Sequence, residues 1–300
     1  MSKLGTAIKI HKELGFRGLI YAISNKLQGK PALYGIIKKN DDTVVIRKKS
    51  KISKTNEDYI ETAPSVQNVL DIFKGQWSCK IPIENTESGS GDFFKDDKRI
   101  PMWNSAYPVN NKTILELGPL EGAHTYQLEN LGASSITSIE ASRTNYLKCL
   151  IVRNLLKLNV DLLHGDFREY LKTCDKKYDI ILASGVLYHM TEPAQLLKDI
   201  ARVTDNLFLS TQYYSEDRHD IYKFEPKPIK IDGKYKGYKH YYVNMDDDDL
   251  VLGGTRNYSV WMKKEDILNV LEDVGFSKVV LLEDRIDDPL GNLLTLYAGK

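Results

Sequence analysis

From Lys112 onward, apolar and polar positions change rhythm in a regular way. Short apolar runs at 113–117, 136–140, 160–163, 179–183 and 206–210 read as strands. Segments with helical spacing lie between them, at 122–131, 143–157, 167–172 and 193–203. Such alternation predicts an α/β domain with a parallel sheet and crossover helices, whose strands are apolar because both faces are covered. An amphipathic helix over 264–274, closed by Gly275, and strands at 279–282 and 293–298 follow. Upstream, 34–38 and 43–47 alternate weakly around Asn40-Asp41-Asp42 and predict a hairpin. Residues 65–73 read as a helix ended by Gly75, and 84–92 as a polar Gly/Ser loop. Phe93, Phe94, Trp103 and Tyr107 fall in a stretch that reads as irregular, packing at a core edge. The expected organisation is an accessory region at 1–110 and a main domain at 111–300, with an insertion at 211–258.

Residues 1–30 carry six Lys or Arg against Glu13 alone, with Leu4, Ile8, Phe16, Leu19, Ile20, Ile23 and Leu27 at mostly helical spacing. They predict one or two short helices, docked on the protein or touching an anionic membrane surface or a partner. The whole chain has a formal net charge of +1, so no global field steers it to nucleic acid. Cys79, Cys149 and Cys174 are odd in number and lack metal-ligand spacing, which fits a reducing, cytoplasmic compartment. No apolar run reaches the roughly 18 residues a membrane span needs, and the N-terminus does not read as a signal peptide.

The chemistry centres on Thr113–His124, TILELGPLEGAH. A strand leads into Gly118-Pro119-Leu120-Glu121-Gly122 and then into a helix. Glycine there lets a cofactor approach the backbone where a side chain would block it. The dinucleotide fingerprint G-x-G-x-x-G is absent, because its middle glycine is missing. The turn therefore suits a nucleoside cofactor without a pyrophosphate. Glu140 ends the second strand, 22 residues after Gly118, where an acid accepts ribose hydroxyls. Asp166 ends the third strand and can accept from an adenine amino group, with Phe167 beside the ring. The fourth strand runs into Ser184-Gly185-Val186-Leu187-Tyr188-His189.

Residues 113–211 resemble the class I S-adenosylmethionine-dependent methyltransferases. Glu116–Gly122 matches that family's first motif, Glu140 its ribose acid, Gly165-Asp166 its adenine acid, and Tyr178-Asp179-Ile180-Ile181 its fourth strand. The resemblance implies a Rossmann-like seven-stranded sheet, mostly parallel with an antiparallel last strand, and S-adenosylmethionine as cofactor. It also implies that Glu116 faces the methionine amino group, that the backbone of Gly118 and Gly122 lines the cofactor, and that Ser184 sits at the methionine end. His124 opens the first helix as a ligand, a cap or a packing residue.

A hydroxyl acceptor benefits from a general base, worth about 10²–10⁴-fold. His189 lies where ligands meet an open α/β sheet and is the expected base, with Tyr188 orienting the acceptor. The insertion at 211–258 is rich in tyrosine and reads as the acceptor cap, with Tyr213, Tyr214, His240 and Tyr241 as substrate residues. Asp246–Asp249 read as a solvated loop, and no metal is expected. The segment Gly185–His189 is similar to bacterial enzymes that modify the wobble uridine of tRNA, and the opening of the chain to sugar methyltransferases of polysaccharide gene clusters. The leading expectation is O-methylation of a sugar or glycan intermediate, with nucleic acid as a partner disfavoured. The alternatives are a small-molecule or natural-product acceptor, a tRNA, and a cofactor-binding module without catalysis.

Overall fold

The structure is a computed structural model that describes residues 59–218, 225–242, 256–286 and 288–300, and the backbone of two strands nearer the N-terminus. Those two, β1 (Tyr34–Lys39) and β2 (Asp42–Arg47), pair antiparallel from Tyr34↔Arg47 to Lys39↔Asp42, as the hairpin pattern predicts. The expected helices at 1–30 and the segment Lys49–Asn56 lie outside the described residues. The chain divides into two compact units at Ala63/Pro64, not at residue 110.

The second unit is built on a seven-stranded sheet of order β11-β12-β7-β6-β3-β4-β5. Its strands are β3 (Thr113–Leu117), β4 (Ser135–Glu140), β5 (Val160–His164), β6 (Ile180–Ser184), β7 (Asn206–Gln212), β11 (Lys278–Arg285) and β12 (Leu293–Gly299). β3 pairs parallel with both β4 and β6, while β12 runs antiparallel to β7 and to β11. This is the Rossmann-like arrangement expected. The order in which strands are added to the sheet reverses between β3 and β6, the switch point at which open α/β sheets bind ligands.

Pleat alternation divides the core between the two sheet faces. Leu115, Leu117, Ile181, Ala183, Leu207 and Leu209 face one layer, with α6 (Phe167–Thr173), α7 (Pro193–Val203) and α8 (Lys264–Asp273). Ile114, Ile136, Ile180, Leu182 and Phe208 face the other, with α4 (Ala123–Asn130) and α5 (Arg143–Leu156).

Residues 64–110 complete that second layer, which is why the division falls before them. They form α1 (Val66–Leu70), α2 (Phe93–Asp96) and α3 (Arg99–Ala106), so the stretch expected to be irregular is largely helical. Pro101 reads as a breaker in sequence but sits in the first turn of α3, where its missing N–H costs nothing. Trp103 is fully buried, stacks on Phe208 at 5.6 Å and donates its indole N–H to Leu296 O at 2.8 Å.

One buried ion pair ties this layer to the β3–α4 turn. Glu121 has no solvent exposure and accepts from Ser78 N at 2.9 Å, Cys79 N at 2.8 Å and Lys148 Nζ at 2.9 Å. Lys148 also donates to Gln76 O and lies 5.5 Å from the centre of the Trp77 ring.

Breaking a buried pair by removing one partner costs about 3–5 kcal/mol. Lys148→Met is therefore expected to lower the unfolding free energy by about that amount in urea titration, and adding Glu121→Gln to recover part of it. A loss below about 1 kcal/mol for the single variant would show that the Glu121 carboxylate does not depend on its lysine.

Candidate active site

The tips of β3, β4 and β6 converge on the β3–α4 turn. Gly118 has φ +66°, and a Cβ built there would lie 2.9 Å from Val186 Cγ1, on the segment that follows β6. Glycine is needed at 118 both for its backbone conformation and because the two strand tips close on it. Gly122, at φ +81°, precedes the first residue of α4. Leu120 also adopts a positive φ of 57°, a conformation that costs a non-glycine residue roughly 1–2 kcal/mol. Strain of that kind collects at ligand clamps.

Glu140 holds this turn from the neighbouring strand. Its carboxylate accepts from Leu120 N at 3.2 Å and Ser142 N at 2.8 Å, and burial pushes its pKa up. Glu116 is buried, accepts from Thr125 Oγ1 and from Ser138 Oγ at 2.8 Å, and is likewise pushed up by burial. Asn145, on the first turn of α5 just past Glu140, carries a buried Oδ1 with no partner. Asp166 N-caps α6 through Arg168 N at 2.8 Å and pairs with the Arg168 guanidinium at 2.6 Å. Its pKa is lowered: burial opposes the shift, and the hydrogen bonds and charge of Arg168 outweigh it. Phe167, expected beside the adenine, is buried in the core with Leu171.

A second network joins the opposite side of the turn. Arg99 holds Asp97 through Nε at 2.9 Å and donates from Nη1 to Ser184 Oγ at 2.9 Å. His124 Nε2 lies 2.8 Å from Asp97 Oδ2, and its ring meets Trp103 edge-on at 6.3 Å. Asp97 is held well below the usual carboxylate range: desolvation opposes this, and the hydrogen bonds and charges of His124 and Arg99 outweigh it. His124 is thus a side-chain partner of Asp97 at the edge of the site. Asp97 and Arg99 have no signal in the sequence, where they read as two charges of the run Lys95–Arg99.

The insertion adds a three-stranded antiparallel sheet of order β10-β9-β8, with β8 (Lys227–Ile231), β9 (Tyr235–Tyr241) and β10 (Tyr258–Met262). Val260 N donates to Met190 O at 2.8 Å, which fastens β10 beside the segment after β6. One face of this sheet meets that segment. His240 stacks on Trp261 at 4.6 Å, Tyr214 on Tyr238 at 3.5 Å, and Tyr188 meets Trp261 edge-on at 5.9 Å. His189 Nδ1 lies 2.9 Å from Tyr242 Oη, which donates to Ser259 Oγ at 3.0 Å. The phenol has one proton. If Ser259 receives it, Nδ1 of His189 carries the hydrogen and Nε2 keeps its lone pair.

Tyr188, His189, Tyr214 and His240 are therefore brought together. Tyr213 and Tyr241 are not. Tyr213 precedes Tyr214 on an extended chain and turns the other way, donating to Asp284 Oδ1 at 2.8 Å within the main core. Tyr241 lies on the opposite face of β9 from His240 and packs on Tyr258 at 6.0 Å. Tyr242 and Ser259 complete the histidine's surroundings; only strand register, invisible in the tyrosine count, identifies them. His219, Tyr222, Phe224 and Asp246–Asp249 lie outside the described residues. Among the described residues no group of three or more His, Cys, Asp or Glu is placed to hold a metal ion, and no helix is long and apolar enough to cross a membrane. All three cysteines are free and buried.

Residues 115–206 match the profile of a family described as a methyltransferase domain. The tRNA U34 carboxymethyltransferase of Nautilia profundicola is 30% identical over 102 residues, 33% of each chain. That of Shewanella woodyi is 23% identical over 262 residues, 84% of this chain and 72% of its own. The chain spans about a third of the length of the Nautilia relative and about half (49%) of that from Campylobacter hominis. Among solved structures, the N-terminal domain of EvdMO1 in the presence of SAH and D-fucose is 25% identical, with a TM-score of 0.62 over 78% of this chain and 95% of that one. The same domain with SAH bound gives a TM-score of 0.63.

Burial lowers the His189 pKa from 6.5 to about 4, and nearby His240 adds to the effect. His240 is itself shifted down by burial. The unfolded chain then binds these protons before the folded one, so stability is full above about pH 6.5 and falls as pH drops towards about 4. Urea titration across that window is expected to show this slope, and His189→Gln to flatten it. A slope unchanged in the variant would place the titration elsewhere.

Proposed function

From the premise that this chain carries a class I S-adenosylmethionine-dependent methyltransferase domain, we propose that it methylates a hydroxyl oxygen of a sugar or glycan intermediate. The observation that carries this reading is the aromatic face of the β8–β10 sheet, set against His189 and Tyr188 at the tip of β6. Flat rings with polar edges suit the apolar face and hydroxyls of a sugar. The EvdMO1 domain, solved with SAH in the presence of D-fucose, supports the same reading.

The residues fit the cofactor. Gly118 turns the chain at the β3 tip with a backbone conformation that favours glycine, Glu140 accepts at the β4 tip, and Asn145 Oδ1 is a buried acceptor still without a donor. Glu116, Gly122, Asp166 and Ser184 would hold it from the remaining sides. When bound, S-adenosylmethionine supplies a methyl carbon on a sulfonium centre and leaves as S-adenosylhomocysteine. The chain must align an oxygen with that carbon and take its proton. Alignment of this kind contributes on the order of 7–11 kcal/mol. His189 takes the hydroxyl proton on Nε2 as the carbon–oxygen bond forms. Tyr242 holds Nδ1, so the lone pair stays on Nε2. Burial keeps the imidazole neutral down to about pH 4 and weakens it as a base, so its contribution rests on position more than on basicity.

Modification of a tRNA nucleoside is a second reading, favoured by the activity for which the relatives are named. Release of S-adenosylhomocysteine with nucleotide sugars, oligosaccharides and tRNA as acceptors separates the two. Turnover with a saccharide is expected, and turnover with tRNA alone would overturn the sugar reading. With the active acceptor, His189→Ala is expected to lower kcat about 10²–10⁴-fold. Tyr242→Phe is expected to lower kcat less, by about tenfold. Neither should change the affinity for S-adenosylhomocysteine, whereas Glu140→Ala should weaken that affinity by about 10–100-fold with little change in fold. Full activity in His189→Ala would remove it from catalysis.

A further inference from the structure

The face that carries the aromatic row also carries a pair of lysines with no ion-pair partner among the described residues. Side chains on a strand alternate, so Lys236, Tyr238, His240 and Tyr242 share one face of β9 and its extension. The contacts already described fix this as the face towards His189. Lys230 of β8 lies directly opposite Lys236 in the register. Like charges opposite one another on a sheet are destabilising. Neither lysine pairs with a described carboxylate, although acids are at hand. Asp232 is taken by Lys198 at 2.6 Å, Asp273 by Lys234, and Glu216 by Lys263 at 2.6 Å.

Protection of a sheet edge explains part of the pattern. β8 is an edge strand, and lysine with Pro228 is a common guard against edge-to-edge pairing. Lys236 lies on the middle strand, however, where no edge needs guarding. Edge protection therefore does not account for it, and of the two cross-strand lysine pairs this is the one on the histidine's face. The same row that places a ring every second residue from Tyr238 to Tyr242 begins with this pair.

We propose that Lys230 and Lys236 form the phosphate subsite of the acceptor cap, and that the acceptor is a sugar carried on a diphosphate. This rests on the sugar reading above. Lys236 and Tyr242 are six residues apart, or about 20 Å along an extended strand. An acceptor that meets His189 at one end and the lysines at the other must be longer than a free monosaccharide. A diphosphate carrier supplies both the length and the charge.

The test is titration of the full chain with inorganic pyrophosphate, followed by calorimetry without methyl donor. The double variant Lys230→Gln/Lys236→Gln is expected to bind pyrophosphate about tenfold or more weakly. It should melt no lower than the unaltered protein, because a like-charge pair has been relieved. Lys227→Gln/Lys239→Gln removes the other cross-strand lysine pair, on the opposite face, and is expected to leave binding unchanged. Equal weakening by both double variants, or no binding by the unaltered protein, would overturn the proposal. UDP-glucose and farnesyl-diphosphate-linked glucose distinguish a nucleotide from a lipid carrier, and displacement of pyrophosphate by either supports the subsite. A tRNA transcript that binds with a steep salt dependence and loses affinity in both double variants would instead make the lysines a nucleic-acid surface. Because binding is read without turnover, a pyrophosphate site that survives while every saccharide fails as methyl acceptor would sink the sugar reading alone.

Discussion

A carboxylate with no contact with water lies at the centre of this molecule. Glu121 belongs to the cofactor turn, yet its partners are two backbone amides of residues 78 and 79 and an ammonium on α5. Two charges in the interior are tolerable only when each is fully bonded. Glu121 accepts three hydrogen bonds, and Lys148 adds a carbonyl and an aromatic ring to its carboxylate. The turn is therefore fixed from three parts of the chain at once. The division of the chain before residue 64 follows from it: a segment that supplies partners for a buried charge cannot be an independent appendage.

The opposite side of the turn is fixed by charge in a related way. Asp97 binds Arg99 and His124, and Arg99 reaches Ser184 at the tip of β6. The methionine end expected from the sequence is thus walled by residues that come before the sheet. The two networks tie residues 77–99 to the β3–α4 turn and to the β6 tip. The turn itself stores strain, with Leu120 in the left-handed region and Gly118 closed against Val186. Strain there is affordable because Glu140 and Glu121 bind the turn from β4 and α5.

The sequence was legible wherever periodicity sets the structure. Every strand and α-helix from 113 to 212 lies within two residues of its expected bounds, since buried parallel strands and amphipathic helices impose their period directly on composition. The placement of Glu140 and Asp166 at strand ends was readable for the same reason. The helices α2 and α3 were not readable. α2 is four residues long and α3 holds a proline, and packing of Phe94 and Trp103 on the sheet decides their conformation against weak local preference. Arg99 and Asp97 were hidden because a charge that binds another residue in space looks, in sequence, like a charge in water.

The β8–β10 sheet shows where residue counting fails. A tyrosine-rich insertion suggests an aromatic cap, but a one-residue step along a strand moves a ring to the other side. Tyr213 and Tyr214 are adjacent and serve different cores; Tyr241 and Tyr242 are adjacent and only the second meets His189. Charge behaves the same way. A net charge of +1 for the whole chain does not argue against an anionic partner, because it averages over 42 basic and 41 acidic residues. Recognition depends on the field at one face. Between Lys227 and Lys239 five lysines stand against Asp232, and the register, not the total, sets Lys230 and Lys236 together on the histidine's face. An acceptor would meet that local field, so a near-neutral chain and an anionic substrate are compatible.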